Sequence, residues 1–284
     1  MSTTSETGWR GRLELRYWRD DHGHTLAHDR HEGPLRVLRR LYPEGPGICH
    51  HVIVHPPGGI VGGDRIEIDV ALESGAHALV TTPGATRFYR SEGPEASQDC
   101  TVRLAGGARL EWLPLEAIAY DGCHARNGLH LALDAGAEAL GWDIVALGLP
   151  EAGRPFERGV FEQSLAIEGA WLERGWMAGD DDRLLRSPLG LAGHGVVATA
   201  WFAAGSGLPA ARRDALLDAA RAVVERDASL GATAGCTAPH ARVVVLRVLA
   251  HRVEPAMALL VAVRAAWRQA AWGLPENPPR VWRT

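Results

Sequence analysis

One local pattern recurs along the first two-thirds of the chain and constrains the fold more than any other feature. Each copy is a short run of alternating apolar and polar residues, a Gly-Ala pair and a second alternating run. The copies are spaced by roughly 30 residues, within the range typical of stacked supersecondary repeats. One pair of strands cannot bury its apolar face alone, so we expect the repeats to stack into a sheet pair or a coil. The pairs are Gly75-Ala76, Gly107-Ala108, Gly136-Ala137 and Gly169-Ala170.

The runs beside these pairs have the period of β-strands. Residues 65–73 alternate strictly between apolar and charged side chains, which predicts a half-buried strand. Val102 and Leu104 precede Gly106-Gly107, and another alternating run follows. Because glycine supplies the positive φ angles of primed turns, this pair predicts a hairpin.

The C-terminal third has a different pattern. Apolar residues at helical spacing predict a helix over residues 209–226, and a β-branched run predicts a buried strand over 241–249. A second helix is expected from Glu254-Pro255 to Gly273. We therefore predict a mostly β fold, with stacked hairpins in a β-helix-like or double-layer arrangement and two α-helices in the C-terminal third. No break in composition divides the chain, which predicts a single domain over residues 1–284. The second helix is expected to direct inward Leu259, Leu260, Val263, Trp267 and Ala270.

Composition excludes several classes of function. The net charge of −4 gives no basic surface for nucleic acid or for a membrane. Residues 1–12 lack the apolar core of a signal peptide, and the longest apolar stretch, 257–263, is too short to span a bilayer. The four cysteines lie far apart without a CxxC pair, which favours a reducing cytoplasm over a disulfide framework.

Motifs for catalysis are missing from the sequence. It contains no GxSxG elbow, no HExxH pair and no Walker loop. The glycine-rich stretch at residues 58–63 leads into the strand at Arg65 rather than into a helix, so it predicts a tight corner and not a phosphate cradle. We therefore expect a protein that is not an enzyme.

Imidazole and thiol groups precede that corner. Cys49 and His51 lie two residues apart, so a strand would place them on one face, where both could contact the same ion, with His50 on the other. Tight metal sites need four ligands, and no second cluster completes this one. Ordinary surface or core histidines are therefore the favoured interpretation.

Carboxylates are embedded in apolar, tryptophan-containing segments. Glu111 and Glu116 flank Trp112-Leu113-Pro114, Asp143 follows Trp142, and Glu173 follows Trp171-Leu172. A carboxylate in such surroundings is paired, hydrogen-bonded or in contact with water. Two interpretations stay open: an internal ion-pair network and a hydrated acidic path. The expected partners in the first are Arg87, Arg90 and Arg174.

A series of longer motifs points to one family. They are GPLRVLR at 33–39, LYPE at 41–44, HPPGGIVGGDR at 55–65, TTPGA at 81–85, FYRS at 88–91, LEWLP at 110–114, GWD at 141–143 and PRVWRT at 279–284. In their number and order the chain resembles the UreD family of urease accessory proteins, also called UreH, along nearly its whole length.

The resemblance implies both a fold and a function. It implies a mostly β fold with a pair of helices, and an assembly with UreF and, through UreF, the GTPase UreG. That assembly docks on apo-urease and delivers nickel, which passes through without being a tightly bound cofactor. Because nickel lies below copper in the affinity order, protected delivery avoids loading the wrong metal. A passage needs ligands weak enough to release the ion, and scattered carboxylates and hydroxyls suit this.

On this basis specific residues become candidates. The expected nickel passage comprises Asp64, Ser91, Glu116, Asp143 and Glu173. Arg280 and Trp282 are candidate partner-binding residues, although Trp282 would equally suit closure of the core. Two alternatives remain: an adaptor that bridges UreF to urease without metal contact, and an enzyme on a β-helical scaffold that uses Asp64, Glu116 and Asp143.

Overall fold

Strands dominate the computed structural model, which describes residues 8–283. The first seven residues of the polar start and Thr284, the end of the last motif, lie outside the described part. The strands are β1 (Arg10–Arg19), β2 (Thr25–Glu32), β3 (Arg36–Val37), β4 (Cys49–Val54), β5 (Arg65–Leu72), β6 (His77–Thr81), β7 (Thr86–Phe88), β8 (Ala96–Leu104), β9 (Arg109–Leu113), β10 (Ala117–Ala119), β11 (Cys123–Leu133), β12 (Glu138–Leu147), β13 (Gly159–Ile167), β14 (Trp171–Ala178), β15 (Val196–Ala204), β16 (Ala234–His240) and β17 (Val243–Ala250). The helices are α1 (Asp182–Arg186), α2 (Ala210–Arg226) and α3 (Val253–Trp272), with 3₁₀ turns at Pro150–Ala152 and Arg280–Arg283.

Within residues 8–283 the strands form two sheets that enclose a common core. The seven-stranded sheet has the order β14-β13-β11-β8-β5-β1-β2, and the ten-stranded sheet contains β16-β17-β15-β12-β9-β6-β4-β3 with β7 and β10 beside it. In each sheet the central strands are parallel, because the chain passes from one sheet to the other and returns one level further along. The centre of the fold is therefore a β-solenoid, and the prediction of a mostly β, β-helix-like arrangement is confirmed.

The Gly-Ala pairs mark the corners of this coil. Gly75, Gly107 and Gly136 have φ angles of +72°, +76° and +82°, and each turns the chain from the seven-stranded to the ten-stranded sheet. The hairpin predicted at Gly106-Gly107 is wrong, because β8 pairs with β5 and β11 whereas β9 pairs with β6 and β12. A corner and a hairpin need the same positive φ, so the local signal is the same. Only Gly169-Ala170 joins an antiparallel pair, β13 and β14.

The two long helices cover the outer face of the ten-stranded sheet. Helices α2 and α3 match the predicted helices and close a second apolar core with β12, β15 and β17. Four of the five residues expected to face inward on α3 are buried, but Ala270 is exposed. Arg264 and Arg268 are buried instead. None of the helices described in residues 8–283 has the length and apolar character needed to cross a membrane.

Candidate functional site

A cavity of about 230 Å³, here called the inner cavity, lies between the two sheets. Its lining includes exposed residues, namely Pro83 and Gly84 of the loop after β6 and Arg87 of β7. Apolar side chains such as Ile68 and Trp112 form much of its wall. Its polar lining includes side chains of both sheets: Gln98, Cys100, Asn127 and Asp143.

A ladder of amide side chains follows the inside of the seven-stranded sheet. Gln98, Asn127 and Gln163 are neighbours in register on β8, β11 and β13. Gln98 Nε2 donates to Asn127 Oδ1 at 3.1 Å, and Asn127 Nδ2 donates to Gln163 Oε1 at 3.1 Å. Gln163 Nε2 is buried without a partner in the described part of the chain. The ladder thus carries amide groups from the inner cavity to Gln163 on β13, where the amide lies close enough to Asp143 to lower the pKa of that carboxyl group.

Asp143 faces this ladder from the ten-stranded sheet. Its Oδ2 is shielded from solvent and has no hydrogen-bond partner among residues 8–283. Burial, followed by the negative charge of Glu173, raises the pKa of Asp143 to about 7 from an ordinary value of 3.8, although the nearby amide group of Gln163 opposes this shift. A buried carboxylate that has one neutral amide beside it and no cationic partner among residues 8–283 is costly, and a group that supplies positive charge or a proton would stabilise it.

A polar row continues from Asp143 across the same sheet. Asp143 pairs in register with Thr199 on β15, and Thr199 pairs with Arg247 on β17. Arg247 Nη2 donates a hydrogen bond to Glu173 Oε2 on β14, the edge strand of the other sheet. The Arg247 and Glu173 side chains are 42% and 32% exposed, so their pair reaches the surface. We call Asp143, Gln163, Glu173, Thr199 and Arg247 the interior polar cluster.

The structure thus brings together two of the five expected passage residues. Asp143 lines the inner cavity and Glu173 lies next to it in the interior polar cluster. Sequence reasoning missed Gln163, which lies between the polar residues Glu162 and Ser164, and it missed Thr199 and Arg247, which are single polar residues in apolar strands. The sequence marks Thr199 and Arg247 as polar residues within otherwise apolar strands, whereas Gln163 has no such mark.

The other three expected residues lie elsewhere. Asp64 fixes the glycine-rich corner, since its Oδ1 accepts from Trp9 N at 2.7 Å and its Oδ2 from Val61 N at 3.0 Å. Ser91 Oγ donates to the carbonyl of Pro94 at 2.5 Å and so closes a local turn. Glu116 is half-buried beside the cavity wall, but its carboxylate is not part of the lining. The hydrogen bonds of Asp64 and Ser91 favour roles in shaping loops.

The candidate partner-binding residues differ in exposure. Arg280 is exposed at the start of the last 3₁₀ turn. Trp282 is half-buried: its Nε1 donates to Thr81 Oγ1 at 2.8 Å, and its ring centroid lies 5.4 Å from that of Trp142. Trp282 therefore closes the second core at the end of the chain.

Glu111 belongs to a buried ionic network. Arg264 Nε donates to Glu111 Oε2 at 2.7 Å, and Arg268 contacts both Glu111 and Glu44. Burial by itself raises the pKa of Glu111, but the hydrogen bond to His77 and the two guanidiniums outweigh it and lower the pKa to about 2. The expected partners Arg87, Arg90 and Arg174 were wrong for this residue, because its counter-charges come from α3. The ion-pair interpretation thus describes Glu111, whereas Asp143 lacks such a partner.

Cys49 and His51 lie on one face of β4, as expected, but they serve the core. Tyr17 Oη and His51 Nδ1 share a hydrogen bond of 2.6 Å, and burial lowers the pKa of His51 to about 4. Within the described residues, no group of three or more His, Cys, Asp or Glu side chains is arranged to hold a metal ion.

Comparison with known proteins identifies the family. A family model described as UreD urease accessory protein matches residues 9–283. The Urease accessory protein UreD of Leptothrix cholodnii is 60% identical over 277 residues, covering 97% of this chain and 99% of that protein. Those of Verminephrobacter eiseniae and Variovorax paradoxus are 58% and 54% identical, covering 96% and 97% of this chain and 99% of each relative. The chain belongs to the UreD family of urease accessory proteins.

Proposed function

We propose that this protein is a non-catalytic scaffold of urease maturation whose interior conducts nickel. The observation that carries the proposal is the Asp143 carboxylate, which lines the inner cavity and has a neutral amide, Gln163, but no cationic partner beside it in the described residues. In this proposal the ion passes from Asp143 to Glu173, whose charge acts on Asp143, and leaves beside the partly exposed Arg247–Glu173 pair. The exposed residues at the cavity and the partly exposed Arg247–Glu173 pair support an entry and an exit for the ion.

The ligands on this path suit transit better than storage. Carboxylate and amide oxygens bind nickel less tightly than imidazole and thiolate do, and a cation in transit must be bound weakly enough to leave. A divalent cation at Asp143 favours the ionised carboxylate, so its arrival would release the proton that a pKa of about 7 retains in part. The amide ladder offers further oxygen ligands without adding charge.

The remaining parts of the proposal concern partners and location. We place the protein in the cytoplasm, in a complex with UreF and, through it, the GTPase UreG, docked on apo-urease. The accessory role of the relatives supports a maturation complex. Four free cysteines are compatible with a reducing compartment. The exposed Arg280 is the candidate contact for UreF, because Trp282 already packs inside.

Co-expression with urease, UreF and UreG tests the passage. Asp143→Asn keeps the size of the side chain but removes its charge, and we expect about tenfold less nickel in the purified urease. The matched control is Asp134→Asn, because Asp134 is exposed at a corner of the coil. Recovery of UreF in a pull-down should be unchanged for both variants.

The adaptor alternative makes the opposite prediction. An adaptor without metal contact would tolerate loss of both carboxylates, so full nickel loading by the double variant Asp143→Asn, Glu173→Gln would refute the passage. Co-expression without this chain sets the baseline. A protein that hydrolyses or transforms a substrate by itself, without urease, would refute the scaffold.

A further inference from the structure

Arg247 is the only cation in the interior polar cluster, as far as residues 8–283 are described, and it holds one of the two carboxylates. Its guanidinium binds Glu173, while its Nε is buried without a hydrogen-bond partner. The other carboxylate, Asp143, lies two strands away in the same sheet, with Thr199 between them. One guanidinium therefore neutralises half of the acidic charge of the cluster.

A divalent cation changes this balance. An ion that reaches Asp143 carries two positive charges, which match the combined charge of Asp143 and Glu173. The guanidinium then becomes surplus positive charge next to the ion, and like charges in a partly buried site repel strongly. Because 42% of the Arg247 side chain is already exposed, its head group has a short way to solvent while its stem stays packed.

We propose that Arg247 is a displaceable gate that competes with the divalent cation for Glu173 and so keeps its binding weak and reversible. This inference rests on the proposed function and assigns regulation to the same passage. Without the ion, Arg247 occupies Glu173 and closes the exit beside β14. With the ion at Asp143, Glu173 turns to the ion, and return of the guanidinium drives release. By thermodynamic linkage, the free energy by which the bound ion weakens the Arg247–Glu173 pair equals the free energy by which this pair weakens binding of the ion.

Nickel titration of the purified, tag-free, full-length protein tests the gate without urease. Arg247→Gln removes the charge and leaves Glu173 free, so we expect about tenfold tighter Ni²⁺ binding by calorimetry and slower release to a chelator in stopped flow. Arg247→Lys retains the charge and should stay near wild type. The increase in Ni²⁺ affinity should vanish in the double variant Arg247→Gln, Asp143→Asn. That result would assign the increase to this site and not to surface histidines.

A neighbouring arginine provides the matched control. Arg174 follows Glu173 on β14 but points to the outer face, where its Nε donates to Glu162 at 2.6 Å. Arg174→Gln should therefore leave nickel affinity unchanged. A second arm uses Glu173→Gln, which removes the shared carboxylate and leaves Arg247 unpaired, and it should weaken binding. This arm keeps the proposal testable if Arg247→Gln does not fold.

The outcomes for gate and passage are distinguishable. Unchanged or weaker Ni²⁺ binding by a folded Arg247→Gln variant overturns the gate, as does an equal effect of Arg174→Gln. Full urease loading by Asp143→Asn would instead overturn the passage, whatever the affinities measured without urease. If the gate and the passage are both correct, the Arg247→Gln variant should bind nickel more tightly than wild type and yet deliver less nickel to urease.

Discussion

Arg268 of α3 donates a hydrogen bond to Glu111 of β9, although 157 residues separate them in the chain. Neither side chain is accessible to solvent. The same guanidinium contacts Glu44, and its Nε donates to the carbonyl of Pro275 at 3.1 Å. One buried arginine therefore joins the N-terminal segment, the ten-stranded sheet, the last helix and the C-terminal segment.

The first prediction concerns this pair. Glu111→Gln removes the negative charge and leaves two buried guanidiniums without full compensation, which should lower the free energy of unfolding by about 3–5 kcal/mol. Urea titration measures it. The control is Glu67→Gln, whose exposed pair with Arg10 should be worth less than about 1 kcal/mol. Equal effects of the two changes would contradict a special role for the buried network.

The second prediction concerns pH. The pKa of Asp143 is raised to about 7 in the folded protein, whereas its ordinary value is 3.8. As pH rises, the unfolded chain therefore loses this proton at a lower pH than the folded protein does. The folded state binds more protons between these values, and stability from this group falls as pH rises through that window. Asp143→Asn removes the effect. The melting temperature of Asp143→Asn minus that of wild type should increase between about pH 4 and about pH 7 and then stay constant. A difference that is constant over this range would contradict the raised pKa.

The third prediction separates two roles at the C-terminus. Trp282→Ala removes the hydrogen bond to Thr81 and the contact with Trp142, and we expect a loss of about 2–4 kcal/mol in unfolding free energy. Arg280→Ala should change stability by less than about 0.5 kcal/mol, because this side chain is exposed. A UreF pull-down should weaken with Arg280→Ala. Unchanged UreF recovery would remove Arg280 from the interface.

The fourth prediction tests the corners of the coil. Gly107 has a φ of +76°, so Gly107→Ala should cost about 1–2 kcal/mol of stability. Gly207 does not have a positive φ, and a Cβ there would meet open space, so Gly207→Ala serves as the control. Chemical denaturation of both variants makes the comparison. A neutral Gly107→Ala would show that the corner relaxes without strain.

Local patterns predicted the elements better than their pairing. Alternation predicted β5 from residues 65–73, and apolar spacing predicted α2 and α3. The Gly106-Gly107 turn was misread as a hairpin, since a positive φ determines where a chain turns and not which strand it then meets. Pairing between β8 and β11 depends on residues about thirty positions apart, and no local pattern carries that information.

The candidate site was likewise predictable from the sequence only in part. Embedded carboxylates are visible in the sequence as charged residues at apolar positions, and Asp143, Glu173 and Glu111 were all recognised by that mark. The sequence by itself determined the family, the secondary structure and the unusual carboxylates, because these depend on short motifs and periodicity. Only the tertiary structure decided that Glu111 has two arginines, that Glu173 has Arg247 and that Asp143 has an unpartnered oxygen. The reason is physical: the pKa and the role of a carboxylate depend on charges and solvent within a few ångströms, and the coil brings those groups from distant parts of the chain.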